Sequence, residues 1–279
     1  MDEQIIQQAL LIKDAEDDEL RKLLKKMHIK HVDQVIDYIN SITDDLDDIL
    51  QADYEEILAI AERAYKKSDT TAPLAIWLAL QMRHRTFIKD FNITITPRLK
   101  SMYQDLGQQA ATEYDTSLDF DKKTSYTAQR MSKWLKQLSK LMNLTTRNFA
   151  TSAIKRSYER GKGIDWLRTK LSQSDEFSYR RARTTAITEG MRMYSAGTYE
   201  AMEKSNVVIG FEWHHANGVR EPRKSHEDLE GTVIDKESYF HIDGEFAKFP
   251  RDPDLSAKQS VNCHCYIEPV LAGELKGGE

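Results

Sequence analysis

Glycine is nearly absent from the first 160 residues of this chain, where Gly107 stands alone. An interior glycine costs a helix about 1 kcal/mol against alanine, so a stretch this poor in glycine and rich in Leu, Lys, Gln, Glu and Ala reads as helical. Proline is also scarce, at six in 279 residues, and four of the six fall after residue 220. Cysteine is limited to Cys263 and Cys265. That pair is too small for a disulfide scaffold and badly spaced to bridge itself, which leaves free thiols or metal ligands. No apolar run approaches the roughly 18–20 residues that span a bilayer. The opening Met1-Asp2-Glu3-Gln4 lacks the basic-then-apolar order of a secretory signal. The expected setting is a reducing cytoplasm with no membrane partner.

The charge that is present is unevenly placed. The net charge of −5 conceals acidic runs at 14–19 and 44–48 and a basic stretch at 121–200. The basic stretch includes Lys122-Lys123, Lys155-Arg156, Arg160, Lys162 and Arg180-Arg181-Ala182-Arg183. Such polarity suits either a partner of fixed charge or a solvated helix face. Arg180, Arg181, Arg183, Lys155 and Arg156 are candidate contacts to the phosphates of double-stranded DNA, sequence-independent and salt-sensitive. The acidic N-terminal helices suit a protein partner.

Apolar spacing predicts helices over most of the first two-thirds. Ile5, Ile6 and Leu10, then Leu20, Leu23, Leu24 and Met27, recur at helical intervals. A helix start is read at Asp33, punctuation at Ser41 to Thr43, and another helix from Tyr54 to Tyr65. Ser68 to Pro73 reads as a turn into a helix bearing Leu74, Ile76, Trp77 and Leu80. Asp90 to Pro97 is β-branched and alternating, so it is expected to be a strand or linker and to mark a boundary. Helices are expected again over 98–114, 128–150, 151–160 and 164–171, with a long one from Ser174 to about Lys204. After Asn206 the period becomes strand-like, with strands near 207–213, 231–234, 245–249 and 264–270. Asn217-Gly218 and Asp243-Gly244 are hairpin turns between them. The expected class is α+β, with mostly α-helical N-terminal two-thirds followed by a small C-terminal domain of short antiparallel strands. The domains read as 1–95 acidic helical, 96–173 basic helical stem, 174–272 α+β, and a fraying tail at 273–279.

Chemistry concentrates in the C-terminal part. It holds both cysteines and five of the eight histidines: His214, His215, His226, His241 and His264. Alternate strand residues share a face, so Cys263 and Cys265 would point together. With His226 from a facing loop they make three-quarters of a tetrahedral zinc site, and His241 or His214 could be the fourth ligand. The competing reading is two small buried thiols with His226 bonded to a carbonyl. Arg220 and Arg223 could contact phosphate or pair with Glu221, Glu227 or Asp228. Trp213, beside Val208, Ile209 and Phe211, reads as core.

The order of these pieces resembles a known family. A Trp213-bearing strand leads to Ser225-His226, then Leu229-Glu230-Gly231, then Pro250-Arg251-Asp252-Pro253, and last Asn262-Cys263-His264-Cys265. This order is similar to that of the phage Mu F-like family of minor head proteins, also called phage head morphogenesis proteins. The helix carrying Arg181-Ala182-Arg183-Thr184-Thr185-Ala186 looks like the one that leads into that domain. The residue between the cysteines is usually Arg in the family and is His264 here. The resemblance implies a structural virion protein with no catalytic activity and no cofactor beyond the possible zinc. The implied partners are the portal, the major capsid or scaffolding protein, and DNA. Its implied place is the capsid interior near the portal vertex, reached from the host cytoplasm during assembly. Two other readings compete: a metal-dependent nuclease built on His214-His215, Asn217 and His226, and a scaffolding or DNA-binding factor that leaves before maturation.

Overall fold

The computed structural model describes residues 3–66, 72–114, 120, 125–216 and 222–272; the side chains of 3–12 and 72–85 lie outside that description. The expectations for Ile5, Ile6, Leu10, Leu74, Ile76, Trp77, Leu80, the Asn217-Gly218 turn and Arg220 therefore fall outside the described residues. The helices are α1 (Glu3–Lys26), α2 (Val32–Lys66), α3 (Ala72–Tyr114), α4 (Tyr126–Glu159), α5 (Ile164–Ser172) and α6 (Tyr179–Lys204). They are followed by β1 (Val208–His215), α7 (Lys224–Glu227), β2 (Thr232–Asp235), β3 (Phe240–Ile242), β4 (Glu245–Ala247), α8 (Ala257–Ser260) and β5 (Cys265–Leu271). The expected class, helical first and then short antiparallel strands, is what the chain adopts.

Three local expectations are corrected. Asp90 to Pro97 is the middle of α3, not a strand or linker, so the division at 95/96 falls inside a helix. Phe91, Ile95, Leu99, Met102 and Leu106 are all buried, a stripe of period near 3.6, while Ile93 is 62 % exposed. Burial of that stripe outweighs the weak strand preference of the β-branched residues. Pro97 cannot bond back to the Ile93 carbonyl, but this turn faces solvent, where water can take the freed group. Ser41 to Thr43 does not interrupt α2, because Ile39, Ile42, Leu46 and Leu50 continue one buried stripe. Likewise 128–160 is the single helix α4. Ser174 caps a short 3-10 turn at Asp175–Phe177 by accepting from the Glu176 N–H at 3.1 Å. Ser178 then caps α6, its hydroxyl accepting from the Arg181 N–H at 3.1 Å.

Two compact units divide the chain, and neither is continuous in sequence. One comprises Asn40–Leu99 and Arg130–Ala186. Its buried cluster joins Ile57, Ile60 and Ala61 of α2 to Ala150, Ala153 and Ile154 of α4, with Leu167 and Leu171 of α5 and Phe177. Each large aliphatic or aromatic member contributes about 1.5–3 kcal/mol by leaving water. Tyr65 lies on Tyr158 with ring centroids 4.9 Å apart.

The other unit comprises Met1–Ile39, Lys100–Gln129 and Ile187–Glu279. Here α1 ends in a Schellman motif: the Ile29 N–H bonds the Leu24 carbonyl at 3.0 Å, and His28 takes φ 52°. The lone early glycine now has a reason. A Cβ on Gly107 would meet Cε2 and Cε1 of the buried Phe120 ring at 2.7 and 2.8 Å. A Cβ on Gly197 of α6 would lie 2.8 Å from the Tyr103 carbonyl oxygen and 3.2 Å from Gly107 Cα. The two glycines therefore let α3 and α6 touch backbone to backbone. Glu200, 1 % exposed, accepts from Tyr103, from Ser125 at 2.8 Å and from Lys204 at 2.7 Å.

The strands of this unit form a sheet in the order β2-β1-β5, antiparallel throughout, and a separate β3-β4 hairpin. The sequence reading missed β3, which is three residues long. Asp243 and Gly244 turn the hairpin at φ 54° and 85°, the two positive values of a type I′ turn, as their dipeptide predicted.

Candidate functional site

Among the described residues one group of His, Cys, Asp or Glu side chains has its ligand atoms all within 4.8 Å of one another: His226, Cys263 and Cys265. Three pieces of chain bring them together. The one-turn helix α7 carries His226; Asn262, at φ 52°, bends the chain after α8; Cys263 follows that bend, and Cys265 opens β5. All three side chains are buried. His226 Nδ1 is 3.3 Å from Cys265 Sγ and 3.6 Å from Cys263 Sγ.

The imidazole is oriented from behind. Its Nε2 lies 2.9 Å from Gln259 Oε1, and the Gln259 amide nitrogen donates to Asp243 Oδ2 at 3.3 Å. The carboxylate can only accept, so it fixes the amide with its oxygen toward the ring. That oxygen also only accepts, so Nε2 carries the proton and Nδ1 is left to meet the sulfurs. Trp213, fully buried, sets its ring edge-on to His226 at 6.1 Å and to Phe240 at 5.0 Å, so it is core as expected.

The two thiols do not titrate alike. Cys263 is held well below the ordinary thiol range by the hydrogen bond from Cys265, then by His226 and the Arg251 charge, against the effect of burial. Burial pushes Cys265 well above that range, and the neighbouring Cys263 sulfur adds to it, with the Arg251 charge opposing. Burial also lowers His264 to about 4.

Arg251 is the residue the sequence reading underused. It is 1 % exposed at φ 63° and entered the sequence reading as part of the motif order. Its guanidinium donates to the Cys263 carbonyl at 2.6 Å, the Cys265 carbonyl at 3.1 Å and Ser195 Oγ at 2.8 Å. Its own carbonyl accepts from Arg192, which is paired with Glu189 at 2.9 Å. Arg251 therefore clamps the backbone on both sides of His264. The crevice beside Cys263, His264 and Arg251, walled by Leu24, Met27 and Met191, has a volume of about 10 Å³, room for one water and no substrate.

The other nominated residues are placed as follows. His241 is exposed on β3 with its ring against Phe246 at 4.4 Å and is not in the group. His214 lies on β1, bonded to Glu230 at 3.0 Å and stacked on Tyr266 at 5.2 Å, so it and His226 have separate partners. Arg181 is turned inward, donating to Thr146 at 2.7 Å, Thr145 at 2.6 Å and the Glu176 carbonyl at 2.7 Å. Arg183 is buried and bonds Asn40. Arg180 is exposed and paired with Asp175 at 2.6 Å. Lys155, 3.7 Å from Glu159, and Arg156 are exposed on α4. Arg223 donates to the Val261 carbonyl. Missed by the sequence reading, Lys133, Lys136 and Lys140 are exposed along α4. Their spacing of three and four was the available signal.

With the geometry in place, the comparisons give it a class. Residues 148–268 match the family model described as Phage Mu protein F like protein. That stretch is similar to the Phage Mu F-like family, as the motif order implied, and it holds His226, Cys263 and Cys265. Among relatives, the chain is 32% identical over 194 residues to the uncharacterized protein YqbB of Bacillus subtilis (strain 168), a match over 68% of this chain and 64% of that one. It is 29% identical over 131 residues to Minor head protein GP7 of Bacillus phage SPP1, covering 46% of this chain and 42% of the relative. It is 30% identical over 141 residues to the NAD(+)--arginine ADP-ribosyltransferase EFV of Enterococcus faecalis (strain ATCC 700802 / V583), covering 50% and 28%. The matches thus span less than two thirds of each relative's length. No solved structure matches the chain.

Proposed function

We propose that the chain is a minor head protein acting in head morphogenesis of a tailed phage, bound at the portal, with a structural rather than catalytic role. The observation that carries this reading is the match of residues 148–268 to the Phage Mu F-like family, beside the likeness to a protein named as a minor head protein. The site supports it. The histidine and both cysteines are buried, and the crevice beside Cys263 has room for about one water, an arrangement that suits bracing a fold better than taking a substrate. The ADP-ribosyltransferase named for the Enterococcus relative belongs to a protein of which the match covers 28%, and it forms no part of this reading. No helix is long and apolar enough to cross a membrane among the described residues.

The decisive experiment is co-elution of the purified chain with a portal ring from the same phage. Binding and sub-stoichiometric presence in purified virions are expected. A chain found in proheads and missing from virions would shift the reading to a departing scaffolding factor, and failure to bind portal or any other head component would overturn it. Plasmid incubated with the chain and magnesium or manganese should stay intact, because the nuclease alternative relies on His226, whose two ring nitrogens already face Gln259 and the thiols.

DNA contact is the finer part of the proposal. It rests on α4, which carries seven Lys or Arg and only Glu159 as an acid, with Lys133, Lys136, Lys140, Lys155 and Arg156 exposed. Binding to random duplex should weaken with salt. Replacing Lys133, Lys136 and Lys140 with Gln should flatten the slope of log affinity against log salt by about 2–3, near 0.9 for each phosphate lost. A slope unchanged by the triple substitution removes α4 from the interface.

A further inference from the structure

We propose that His226, Cys263 and Cys265 bind one zinc ion that clips α7 to the turn before β5. Zinc bonds of about 2.3 Å to sulfur and about 2.0 Å to nitrogen, at the tetrahedral angle, set the nitrogen–sulfur edge at about 3.5 Å. The two edges measured from His226 Nδ1 are 3.3 and 3.6 Å. Both sulfurs lie at one ring nitrogen. A bare Nδ1 has one in-plane lone pair, so it can accept a proton from one thiol and not from both. A cation in the centre takes that lone pair and both sulfurs at once.

The surroundings suit a ligand histidine. Metal-bound imidazoles hand their second N–H to an oxygen that fixes ring and tautomer, and Gln259 Oε1 at 2.9 Å is that oxygen, itself held by Asp243. No carboxylate is in the group, so the donors are thiolate and imidazole, the set that selects zinc over magnesium or calcium. Arg251 fixes the carbonyls of both cysteines, which presets the sulfurs before any ion arrives. Three protein donors are one short of four, and water is the fourth. The segments joined are 37 residues apart, in a region whose sheet has three strands among the described residues. In such a region metal-binding energy becomes folding energy.

The test uses the full chain, expressed without a histidine tag in zinc-supplemented medium. Elemental analysis should give about one zinc per chain, and a strong chelator should lower the melting temperature, which zinc restores. The double variant Cys263→Ser/Cys265→Ser should carry none. So that the result does not depend on the folding of that variant, cobalt substitution of the unaltered chain is the second measurement: a thiolate-to-cobalt charge-transfer band with intense tetrahedral visible bands is expected. Gln259→Leu should keep the stoichiometry at saturating zinc and weaken affinity by about 10–100-fold. A wild-type chain that is metal-free, shows no cobalt–thiolate band and melts identically with chelator overturns the proposal. So does zinc retained equally by a folded double serine variant, or copper in zinc's place. None of these outcomes bears on portal binding, so the two proposals fail separately.

Discussion

Gly107→Ala offers a prediction whose sign can be reversed at will. In an isolated helix the change gains about 1 kcal/mol, because alanine loses less backbone freedom than glycine. In this chain the new methyl would press into the Phe120 ring, with Cε2 and Cε1 at 2.7 and 2.8 Å, and Phe120 is only 2 % exposed. Overpacking of this kind costs about 1–3 kcal/mol, or more where the ring must leave its site. The net expectation is a loss of up to about 2 kcal/mol once the propensity gain is subtracted. Phe120→Ala alone should cost about 3–5 kcal/mol. In that background the methyl has room, and Gly107→Ala should become neutral or stabilising by up to about 1 kcal/mol. The cycle therefore predicts a coupling of about 1–3 kcal/mol between the two positions, the overpacking cost itself. Urea unfolding followed by circular dichroism measures all four corners. Gly107→Ala that stabilises the wild-type chain, or that has the same effect in both backgrounds, refutes the packing argument.

Three further outcomes follow from the same contacts. Arg251→Met should orphan the buried Cys263 and Cys265 carbonyls at about 1–3 kcal/mol each, lowering the urea midpoint and exposing the thiols to a disulfide reagent below the unfolding transition; thiols as protected as in wild type would show that the clamp is not needed. Pro97→Ala should raise the melting temperature, since it restores a donor to the centre of α3 and removes part of the roughly 3 kcal/mol penalty of an interior proline; a lowered melting temperature would mean the proline sets a needed bend. Burial raises Tyr194 and Tyr114 to about 12, as burial and the Asp105 hydrogen bond do for Tyr38. Their unfolded-state value is near 10, so the neutral forms favour the folded chain. That stability is complete below about pH 10 and is lost as pH rises toward 12. The tyrosinate absorbance should therefore lag that of the denatured chain across this window, and an early rise would contradict the burial.

What could be read from the sequence depended on how local the cause was. The scarcity of glycine before residue 160 and the stripes at Leu20 to Met27 and Met131 to Leu138 gave the helices, because helical pattern is a property of neighbours. The Asp243-Gly244 turn was legible for the same reason. Asp90 to Pro97 was misread because its local preference and its buried face disagree, and only the packing of Phe91, Ile95 and Leu99 decides between them. In the site, His226, Cys263 and Cys265 could be grouped from residue type and order, and the chain does bring them together. His241 could not be excluded that way, since its exposure on β3 is set by a hairpin too short to show a pattern. Gln259, Asp243 and Arg251 act through contacts 12 to 59 residues away, for which no periodicity exists. The inward turn of Arg181 is equally invisible: its cluster reads as surface charge, and the hydroxyls and carbonyls that absorb it come from α4.

The His28 ring bonds Glu268 at 2.7 Å across 240 residues of chain, inside a unit that draws on both ends of the sequence. During synthesis that bond cannot form until β5 has followed α1 by more than two hundred residues. Contacts of such long sequence separation form slowly, so this part of the unit joins late in folding. Until it does, His28 and Glu268 each face water and the end of α1 is without its tie to the sheet.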